Sequence, residues 1–230
     1  MADDEKVFLI TGASSGIGAA TARQAAHAGF RLVLAARSED LIRDLARELG
    51  GDDRALAVRC DVTEYEDQEA LVNATLERYG RIDVAFANAG FGAAPGFAGA
   101  PPDHHKAMIL TNVLGVAYTI RLVMEPLKAT KGHLLVTGSV AGRISIAGSV
   151  YGATKWAVTG LAQNARLELN NTGVRVTLVE PGQVETPFFD RPREGRLDAD
   201  DIARAVLWAV ERPDHVDVNE ILIRPTAQER

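Results

Sequence analysis

The sequence predicts a doubly wound α/β fold, in which a seven-stranded parallel sheet carries helices on both faces. Short β-branched or aliphatic runs alternate with longer amphipathic stretches, an order typical of parallel strands joined by helical crossovers. The short runs are apolar at consecutive positions, as expected of strands buried on both faces. A chain of 230 residues suffices for one large core, so residues 1–230 are predicted to form a single domain.

The strands are predicted at 7–11, 31–35, 55–59, 82–87, 133–138, 174–180 and 218–223. The helices are predicted near 17–28, 38–49, 66–79, 103–124, 150–171 and 199–211. Four glycines fall just past helices, where a left-handed residue is needed: Gly29, Gly50, Gly80 and Gly173. Segments 91–102 and 182–198 are the least regular, and both leave carboxyl ends of strands. These ends build the ligand crevice of an open parallel sheet.

Composition and charge exclude several classes of function. A net charge of −6 without a basic cluster argues against nucleic-acid binding. The single cysteine, Cys60, allows no intrachain disulfide and is expected to be a packed thiol. The acidic start MADDEK is unlike a signal peptide, and no apolar run of membrane-spanning length is evident, so a cytoplasmic protein is expected. The five histidines show no metal-ligand spacing, so no metal is expected.

A glycine-rich loop, TGASSGIG at 11–18, follows the first predicted strand and opens the first helix. Gly12 permits the tight turn, Gly16 lets the backbone approach a pyrophosphate, and Gly18 lets helix and strand pack closely. A glycine-rich turn without a ligand is the alternative, but the strand–turn–helix context favours a dinucleotide site of the Rossmann type. The loop residues Ser14, Ser15 and Ile17 are included in that predicted site.

The second strand ends where such folds meet the adenosine ribose. An acidic residue there would hold the 2′-hydroxyl of NAD, but this chain has Ala36 followed by Arg37, whose guanidinium can grip a phosphate. We therefore expect NADP(H) to be preferred over NAD(H); the alternative is an ordinary exposed arginine. Asp61 and Val62 follow the third strand, where the Asp61 carboxylate can accept a hydrogen bond from the adenine amino group or merely cap the next turn.

Tyr151 and Lys155 stand four residues apart at the start of a predicted helix, so both side chains project from one face. A phenol is a poor base at neutral pH, but an ammonium about 4 Å away is worth roughly 4 kcal/mol at an intermediate dielectric, or about three pKa units. The spacing therefore predicts that Lys155 brings Tyr151 into working range. Taken alone, such a pair also arises by chance on surface helices.

Other polar residues fall at the ends of neighbouring strands. Ser139 ends the fifth strand, where its hydroxyl can donate to a substrate carbonyl oxygen; it could equally be a turn or cap residue. Asn88, Ala89 and Gly90 follow the fourth strand in a small-residue turn that lets the cofactor lie against backbone. Asn112 lies inside a helical pattern, where asparagine is a poor helix former. Their joint placement points to a site for hydride transfer to a small carbonyl or alcohol.

The TGxxxGxG loop, the NAG turn and the YxxxK pair together resemble the short-chain dehydrogenase/reductase family over essentially the whole chain. The resemblance implies that Tyr151 is the general acid or base, and that Lys155 lowers its pKa and binds the nicotinamide ribose beside it. Ser139 would orient the substrate oxygen, and Asn112 would hold a water that links Lys155 to solvent. In PGQVETPF, the carboxamide of the nicotinamide would be held by Pro181, Gly182, Val184 and Thr186.

Two positions depart from the family pattern. Ala87 stands where the family usually has a first asparagine, and the gap between Ser139 and Tyr151 is one residue shorter than the commonest form. Ser145 or Ser149 could therefore take the role of Ser139, although the strand end favours Ser139.

Finer features of the resemblance concern subgroup and assembly. The tail HVDVNEILIRPTAQER is similar to that of bacterial NADP-dependent 3-hydroxy acid and clavaldehyde dehydrogenases. The family commonly pairs the helices that correspond to 103–124 and 150–171 across a two-fold axis, which implies a homo-oligomer and most simply a homotetramer.

The sequence leaves two interpretations of the substrate pocket open. An apolar carbonyl compound is favoured by Phe91, Phe97, Ile144, Ile146, Phe188 and Phe189. A carboxylate, as in a hydroxy acid, could instead be received by Arg143, Arg191 and Arg193. Two other classes of function compete with a reductase: a cofactor-sensing, catalytically inactive binding protein, and an epimerase or dehydratase. The first has no chemical reason to keep the catalytic set, and the second usually needs a larger segment after Gly182.

Overall fold

A computed structural model describes residues 5–92, 96–188 and 194–229. Within these ranges, seven parallel strands form one sheet. The strands are β1 Val7–Thr11, β2 Arg31–Ala36, β3 Ala55–Arg59, β4 Val84–Ala87, β5 His133–Thr137, β6 Arg175–Pro181 and β9 Glu220–Ile223. Their order across the sheet is β3-β2-β1-β4-β5-β6-β9. The strand order reverses at the β1–β4 pair, which makes this a doubly wound, Rossmann-like single domain, as predicted.

Helices cover both faces of this sheet. They are α1 Gly16–His27, α2 Glu39–Glu48, α3 Tyr65–Tyr79, α4 Pro102–Ile109, α5 Val116–Thr130, α6 Val150–Glu168 and α7 Ala199–Val210. One core layer contains the apolar sides of α3, α5 and α6, and the other contains those of α1, α2 and α7. Along β1, Val7 and Leu9 enter the first layer while Phe8 and Ile10 enter the second. The consecutive apolar residues of the strands therefore fill two cores.

The predicted helix over 103–124 is interrupted and longer than expected. A π-helical segment, Leu110–Gly115, separates α4 from α5, and the helical run continues to Thr130. The segment has only six residues, which is too short for its own periodicity to stand out in the sequence. A small second sheet was also missed, because β7 Val184–Glu185 and β8 Leu197–Asp198 have only two residues each.

Three of the four predicted glycine stops are confirmed. Gly29, Gly50 and Gly80 follow their helices with φ of 88°, 111° and 72°. The fourth expectation was wrong: α6 ends at Glu168 rather than 171, and Asn171, with φ of 63°, is the first left-handed residue after it. Gly173 is left-handed too, at 86°, but it lies in the turn that enters β6.

The continuous helical run Pro102–Thr130 is long and apolar enough to cross a bilayer by length and composition alone. This corrects the expectation that no apolar run reaches membrane-spanning length. In the fold, however, Met108, Val123 and Leu127 are completely buried, and the run packs against α3, α6 and the sheet. Its apolar character is therefore that of a core helix in this fold.

A buried histidine lies at the amino end of β5, on the sheet edge opposite the strands' carboxyl ends. His133 Nε2 lies 2.7 Å from Thr177 Oγ1, and that hydroxyl donates to the Val218 carbonyl. The histidine Nε2 must then carry the proton, while its buried Nδ1 has no hydrogen-bond partner among the described residues. Burial, with the nearby Arg175 charge, lowers the pKa of His133 to about 3.

His133 should therefore make stability depend on pH. Between its unfolded pKa near 6.5 and its folded pKa near 3, only the unfolded chain binds the proton, so stability is lost as pH falls. The loss from this residue is about 1.4 kcal/mol per pH unit. Urea unfolding should show the wild-type advantage over His133→Gln shrinking from about pH 7.5 to 5. A pH-independent difference for His133→Gln would contradict this account.

Candidate active site

A cavity of about 740 Å³ opens at the carboxyl ends of the strands, beside the β1–β4 reversal. Its size is within the range of small-molecule and cofactor sites. No group of three metal-ligating side chains occurs among the residues that the structure describes. Most of the predicted site residues line the cavity: Gly12, Ser14, Ser15, Gly16, Ile17, Arg37, Asp61, Val62, Asn88, Ala89, Gly90, Ser139, Tyr151, Lys155, Pro181, Gly182, Val184 and Thr186.

The glycine loop has the geometry of an anion cradle. Gly12 and Gly16 have φ of 66° and 53°, and Ser15 begins α1 without a side-chain cap, so the first-turn N–H groups remain available. Gly18 does not line the cavity: a Cβ there would lie 2.2 Å from the Gly12 carbonyl oxygen. Its role is close helix–loop packing, as predicted. The loop residues thus fit the pyrophosphate of a dinucleotide.

Asn88 joins the ends of three strands. Its Nδ2 donates to the carbonyls of Thr11 and Gly12, at 3.1 and 3.3 Å, and its Oδ1 accepts from Thr137 Oγ1 at 3.0 Å. The backbone N–H of Asn88 donates to Thr11 Oγ1 at 3.1 Å. The side chain therefore holds β1, β4 and β5 in register beneath the cavity floor, a structural role that the small-residue pattern did not reveal.

The hydroxyl–phenol–amine set converges at the far end of the cavity. Ser139 and Tyr151 both line this end of the cavity, and Ser139 Oγ accepts the Ala141 N–H at 3.1 Å, so Ser139 is a cap residue as well. Lys155 Nζ donates to the Thr137 carbonyl at 2.7 Å and lies 5.8 Å from the centre of the Tyr151 ring. The predicted spacing has thus brought both side chains to one site.

The two alternative serines are in other positions. Ser149 lines the cavity, but its Oγ caps α6 by accepting the Gly152 N–H at 2.9 Å. Ser145 is exposed and does not line the cavity. Of the three, Ser139 is the one whose hydroxyl lowers the Tyr151 pKa against the effect of burial, despite the shortened gap.

Burial dominates the protonation of this site. It raises the pKa of Tyr151 to about 12, against an opposing hydrogen bond from Ser139, and it lowers the pKa of Lys155 to about 8. The expected lowering of the Tyr151 pKa is therefore wrong for this structure. The spacing of the two residues indicates the attraction of the ammonium, which lowers the Tyr151 pKa. It does not indicate the free-energy cost of a buried phenolate, which raises that pKa. At pH 7, Tyr151 holds its proton and Lys155 is charged.

Asn112 lies behind the cavity, in the π-helical segment. Its Oδ1 accepts the Phe91 N–H at 3.0 Å, and its Nδ2 donates to the Phe91 carbonyl at 2.8 Å and to Thr154 Oγ1 at 3.1 Å. A Cβ on Gly90 would lie 3.1 Å from Asn112 Oδ1 and 3.7 Å from Lys155 Nζ. The amide therefore fixes the turn after β4 against α6, beside Lys155. Its expected part in a water relay stays a prediction.

The adenosine end of the cavity is formed by residues after β2 and β3. Ala36 is buried, and Arg37 is exposed at the rim without a hydrogen bond or ion pair to any residue that the structure describes. Asp61 Oδ1 accepts both the N–H and the hydroxyl of Thr63, at 3.0 and 2.9 Å. The capping alternative for Asp61 is therefore observed, although the residue also lines the cavity.

The expected substrate walls are partly confirmed. Phe91, Ile144, Ile146 and Phe188 line the cavity, and the Phe188 ring lies 5.4 Å from that of Tyr151. Phe97 does not line it and is 79% exposed. Phe189, Arg191 and Arg193 lie outside the described residues.

The suggestion that Arg143 receives a substrate carboxylate is wrong. Its Nε lies 2.6 Å from Glu180 Oε1 and its Nη2 lies 2.7 Å from Glu220 Oε1. The guanidinium is therefore already neutralised by two carboxylates of the protein itself.

The carboxy-terminal turn contributes a wall that sequence reasoning missed. Gln228 lines the cavity, and its Oε1 accepts the Gln183 N–H at 2.8 Å. A Cβ on Gly182 would lie 2.3 Å from that same oxygen, so the tail approaches the β6 end closely. No motif marks this contact, because its partners are 45 residues apart in sequence.

Comparison with known proteins gives the family. A family model described as short chain dehydrogenase matches residues 6–196. An uncharacterized oxidoreductase of Staphylococcus saprophyticus is 36% identical over 228 residues, covering 96% of this chain and 97% of that protein. The chain therefore belongs to the short-chain dehydrogenase family and is an oxidoreductase.

Solved structures agree with this fold. An alcohol dehydrogenase from the archaeon Thermococcus sibiricus, complexed with 5-hydroxy-NADP, matches with a TM-score of 0.90 and 35% identity over 99% of both chains. The closed form of a serine dehydrogenase complexed with NADP+ matches with a TM-score of 0.90 and 29% identity, over 97% of this chain and 96% of that one. A further similar structure is a complex with NAD. The neighbours thus bind either dinucleotide.

Two helical glycines provide a matched test of the loop packing. Gly18→Ala would place a methyl group 2.2 Å from the Gly12 carbonyl, whereas a Cβ on Gly160, in α6, meets nothing within 4 Å. We expect Gly18→Ala to lower the melting temperature and weaken dinucleotide binding. Gly160→Ala should instead stabilise the protein by about 0.5–1 kcal/mol, the usual gain in a helix. Equal effects of the two variants in thermal unfolding and NADPH fluorescence titration would refute the packing argument.

Proposed function

We propose that this protein is an NADP(H)-dependent reductase that interconverts a small carbonyl compound and its alcohol, with Tyr151 as general acid or base. The observation that carries the proposal is the meeting of Ser139, Tyr151 and Lys155 in one cavity that continues to the glycine loop. The dinucleotide, when bound, supplies or accepts the hydride. Everything else in the reaction is proton transfer and positioning by residues of this chain.

In the reducing direction, the hydroxyls of Ser139 and Tyr151 would both donate to the carbonyl oxygen as negative charge grows on it. A pKa of about 12 keeps Tyr151 protonated throughout the neutral range, which is the form required of a proton donor. In the oxidising direction Tyr151 must accept a proton, and the charged Lys155 would then stabilise the phenolate. The same buried pair thus serves both directions.

The cofactor site is proposed from the lining of the cavity. The pyrophosphate would lie on the glycine loop and the amino end of α1, against Gly12 to Gly18 with Ser14, Ser15 and Ile17. Asp61 and Val62 would border the adenine, and Asn88, Ala89 and Gly90 the ribose. The nicotinamide carboxamide would be held by Pro181, Gly182, Val184 and Thr186, and the nicotinamide ribose by Lys155 beside Tyr151.

Preference for NADP(H) is supported by the rim of the cavity at β2. The positive charge of Arg37 can attract a 2′-phosphate. The preceding residue, Ala36, has no carboxylate with which to bind a free 2′-hydroxyl. The complexes of two similar structures with NADP-type cofactors support the same choice.

Arg37→Ala should weaken NADPH binding while leaving NADH binding nearly unchanged. A charge-assisted contact to a phosphate is worth about 1.5–3 kcal/mol, so an increase of roughly 10- to 150-fold in the NADPH dissociation constant is expected. The control is Arg43→Ala, which removes an exposed arginine of α2 that pairs with Glu39 and does not line the cavity. A clear preference for NADH in the wild type, unchanged by Arg37→Ala, would end the proposal of NADP(H) specificity.

The substrate is proposed to have an apolar body. Phe91, Ile144, Ile146 and Phe188 supply apolar walls near Tyr151, and Arg143 is already occupied by carboxylates. The similarity of the tail to 3-hydroxy acid and clavaldehyde dehydrogenases, together with the serine dehydrogenase neighbour, supports testing hydroxy acids as well. A charged substrate of that kind would then depend on Arg191 or Arg193.

A carbonyl panel with NADPH, followed by absorbance, tests the activity. We expect turnover of neutral ketones or aldehydes, and Tyr151→Phe should lower kcat by on the order of 10²–10⁴-fold, the usual contribution of a general acid. NADPH binding should persist in that variant, and Tyr118→Phe, outside the cavity in α5, should behave as the wild type. Undiminished turnover in Tyr151→Phe would remove the mechanism. Cofactor binding without any turnover would favour the inactive binding protein.

Assembly as a homotetramer in the cytoplasm is a further part of the proposal. It is supported by large apolar side chains exposed on the helices that the family commonly pairs, with Ile109 on α4 and Trp156 and Leu167 on α6. Light scattering at micromolar concentration should give a multiple of the 24.6 kDa chain mass, and a monomer would contradict it.

A further inference from the structure

A charged cluster lies directly behind the proposed active site. Arg143 donates through Nε to Glu180 Oε1 at 2.6 Å, and its Nη2 lies 2.7 Å from Glu220 Oε1. The Glu180 side chain is 1% exposed, whereas that of Glu220 is 44% exposed. Arg143 follows β5, Glu180 belongs to β6 and Glu220 to β9. These three residues, here called the Arg143 clamp, therefore join three separate parts of the chain.

The clamp is connected to the segments that carry Ser139 and Lys155. Arg143 closes the short 3₁₀ turn Val140–Gly142 that Ser139 caps, and it precedes the wall residue Ile144. Glu180 precedes Pro181, whose carbonyl lies 3.5 Å from Ser139 Oγ. A Cβ on Gly142 would lie 2.7 Å from the Lys155 carbonyl oxygen, so the turn rests on the backbone of α6. Moving Arg143 would therefore move Ser139 relative to Tyr151.

The stability of the fold does not by itself explain why the Glu180 carboxylate lies in this buried position. Burial raises the pKa of Glu180, and the hydrogen bond from Arg143 only partly opposes this. Glu180 Oε2 is buried and accepts no hydrogen bond from any residue that the structure describes. Replacing a buried ion pair by apolar residues is often neutral or stabilising, so its better-attested use is to fix one geometry. The neighbouring carboxylate Glu220 and the nearby Arg224 complete the charges acting on Glu180.

We propose that Arg143 is a positioning residue, which through Glu180 and Glu220 holds the segment 139–149 so that Ser139 and the Ile144 wall present the substrate oxygen to Tyr151. The inference rests on the proposed function for its kinetic consequence, but its structural consequence does not. Arg143 touches no reacting atom in this account. It acts through the backbone of the 3₁₀ turn.

The kinetic test compares two ion pairs that each join an arginine to a buried carboxylate: Arg143 with Glu180, and Arg81 with Asp83. Glu180→Gln keeps the shape of the side chain and removes its charge, and Arg143→Lys keeps the charge and removes the planar fork. The matched control is Asp83→Asn, because Asp83 is 7% exposed and binds Arg81 through two bonds of 2.8 and 2.7 Å at the opposite edge of the sheet. All three variants should lose thermal stability.

Only the clamp variants should lose turnover. A displacement of about 1 Å at a reacting group can cost on the order of 100-fold, so we expect kcat to fall roughly 10- to 100-fold in Glu180→Gln, with the NADPH dissociation constant within about twofold. Arg143→Lys should retain part of the rate, and Arg143→Lys combined with Glu180→Gln should be no slower than the worse of these two single variants. Kinetics of the clamp variants that match Asp83→Asn would overturn the proposal.

Hydrogen exchange tests the clamp without turnover. The N–H groups of Ala141, Gly142 and Arg143 are bonded within the turn, to Ser139 Oγ and to the Ser139 and Val140 carbonyls. Glu180→Gln should increase exchange in peptides covering 139–149, and Asp83→Asn should not. If the wild type turns over no carbonyl, the proposed function fails while this result still decides the clamp. Unchanged exchange in 139–149 would overturn the positioning role.

Discussion

The hydrogen bonds of Asn88 are the constraint on which the rest of the site depends. One amide binds the carbonyls at the end of β1 and the hydroxyl at the end of β5, and its own backbone ends β4. The glycine loop, the turn after β4 and the carbonyl that Lys155 binds at Thr137 are therefore fixed relative to one another. The proposed dinucleotide site and the proposed proton-transfer site can adjoin because these strand ends are held in fixed positions.

Burial sets the protonation of the side chains that these strand ends hold. Tyr151 and Lys155 come four residues apart on α6, where Lys155 is 4% exposed and Tyr151 is half-buried in the cavity wall. The resulting pKa values, about 12 and about 8, leave the phenol protonated and the amine charged at neutral pH. Desolvation thus contributes more to the Tyr151 pKa than the neighbouring ammonium does, which reverses the simple argument from spacing.

The misses have two physical causes. The two-residue strands β7 and β8 and the six-residue π-helical segment around Asn112 are too short for a periodic pattern of their own. Arg143 was a candidate anion receptor by residue type, yet Glu180 and Glu220 occupy it from β6 and β9. Gln228 reaches the cavity because the tail turns back on β6. The positions of Arg143 and Gln228 depend on contacts between distant segments, which no local window of sequence contains.

The sequence by itself determined the doubly wound fold class, the glycine loop, the NAG turn and the spacing of Tyr151 and Lys155. These follow from local rules: apolar runs buried on both faces, glycine where φ is positive, and four-residue spacing along a helix. Tertiary structure alone decided which polar groups meet, how deeply they are buried and therefore how they are protonated. Burial and long-range pairing are properties of the folded chain, because they arise only when separate strands and helices come together.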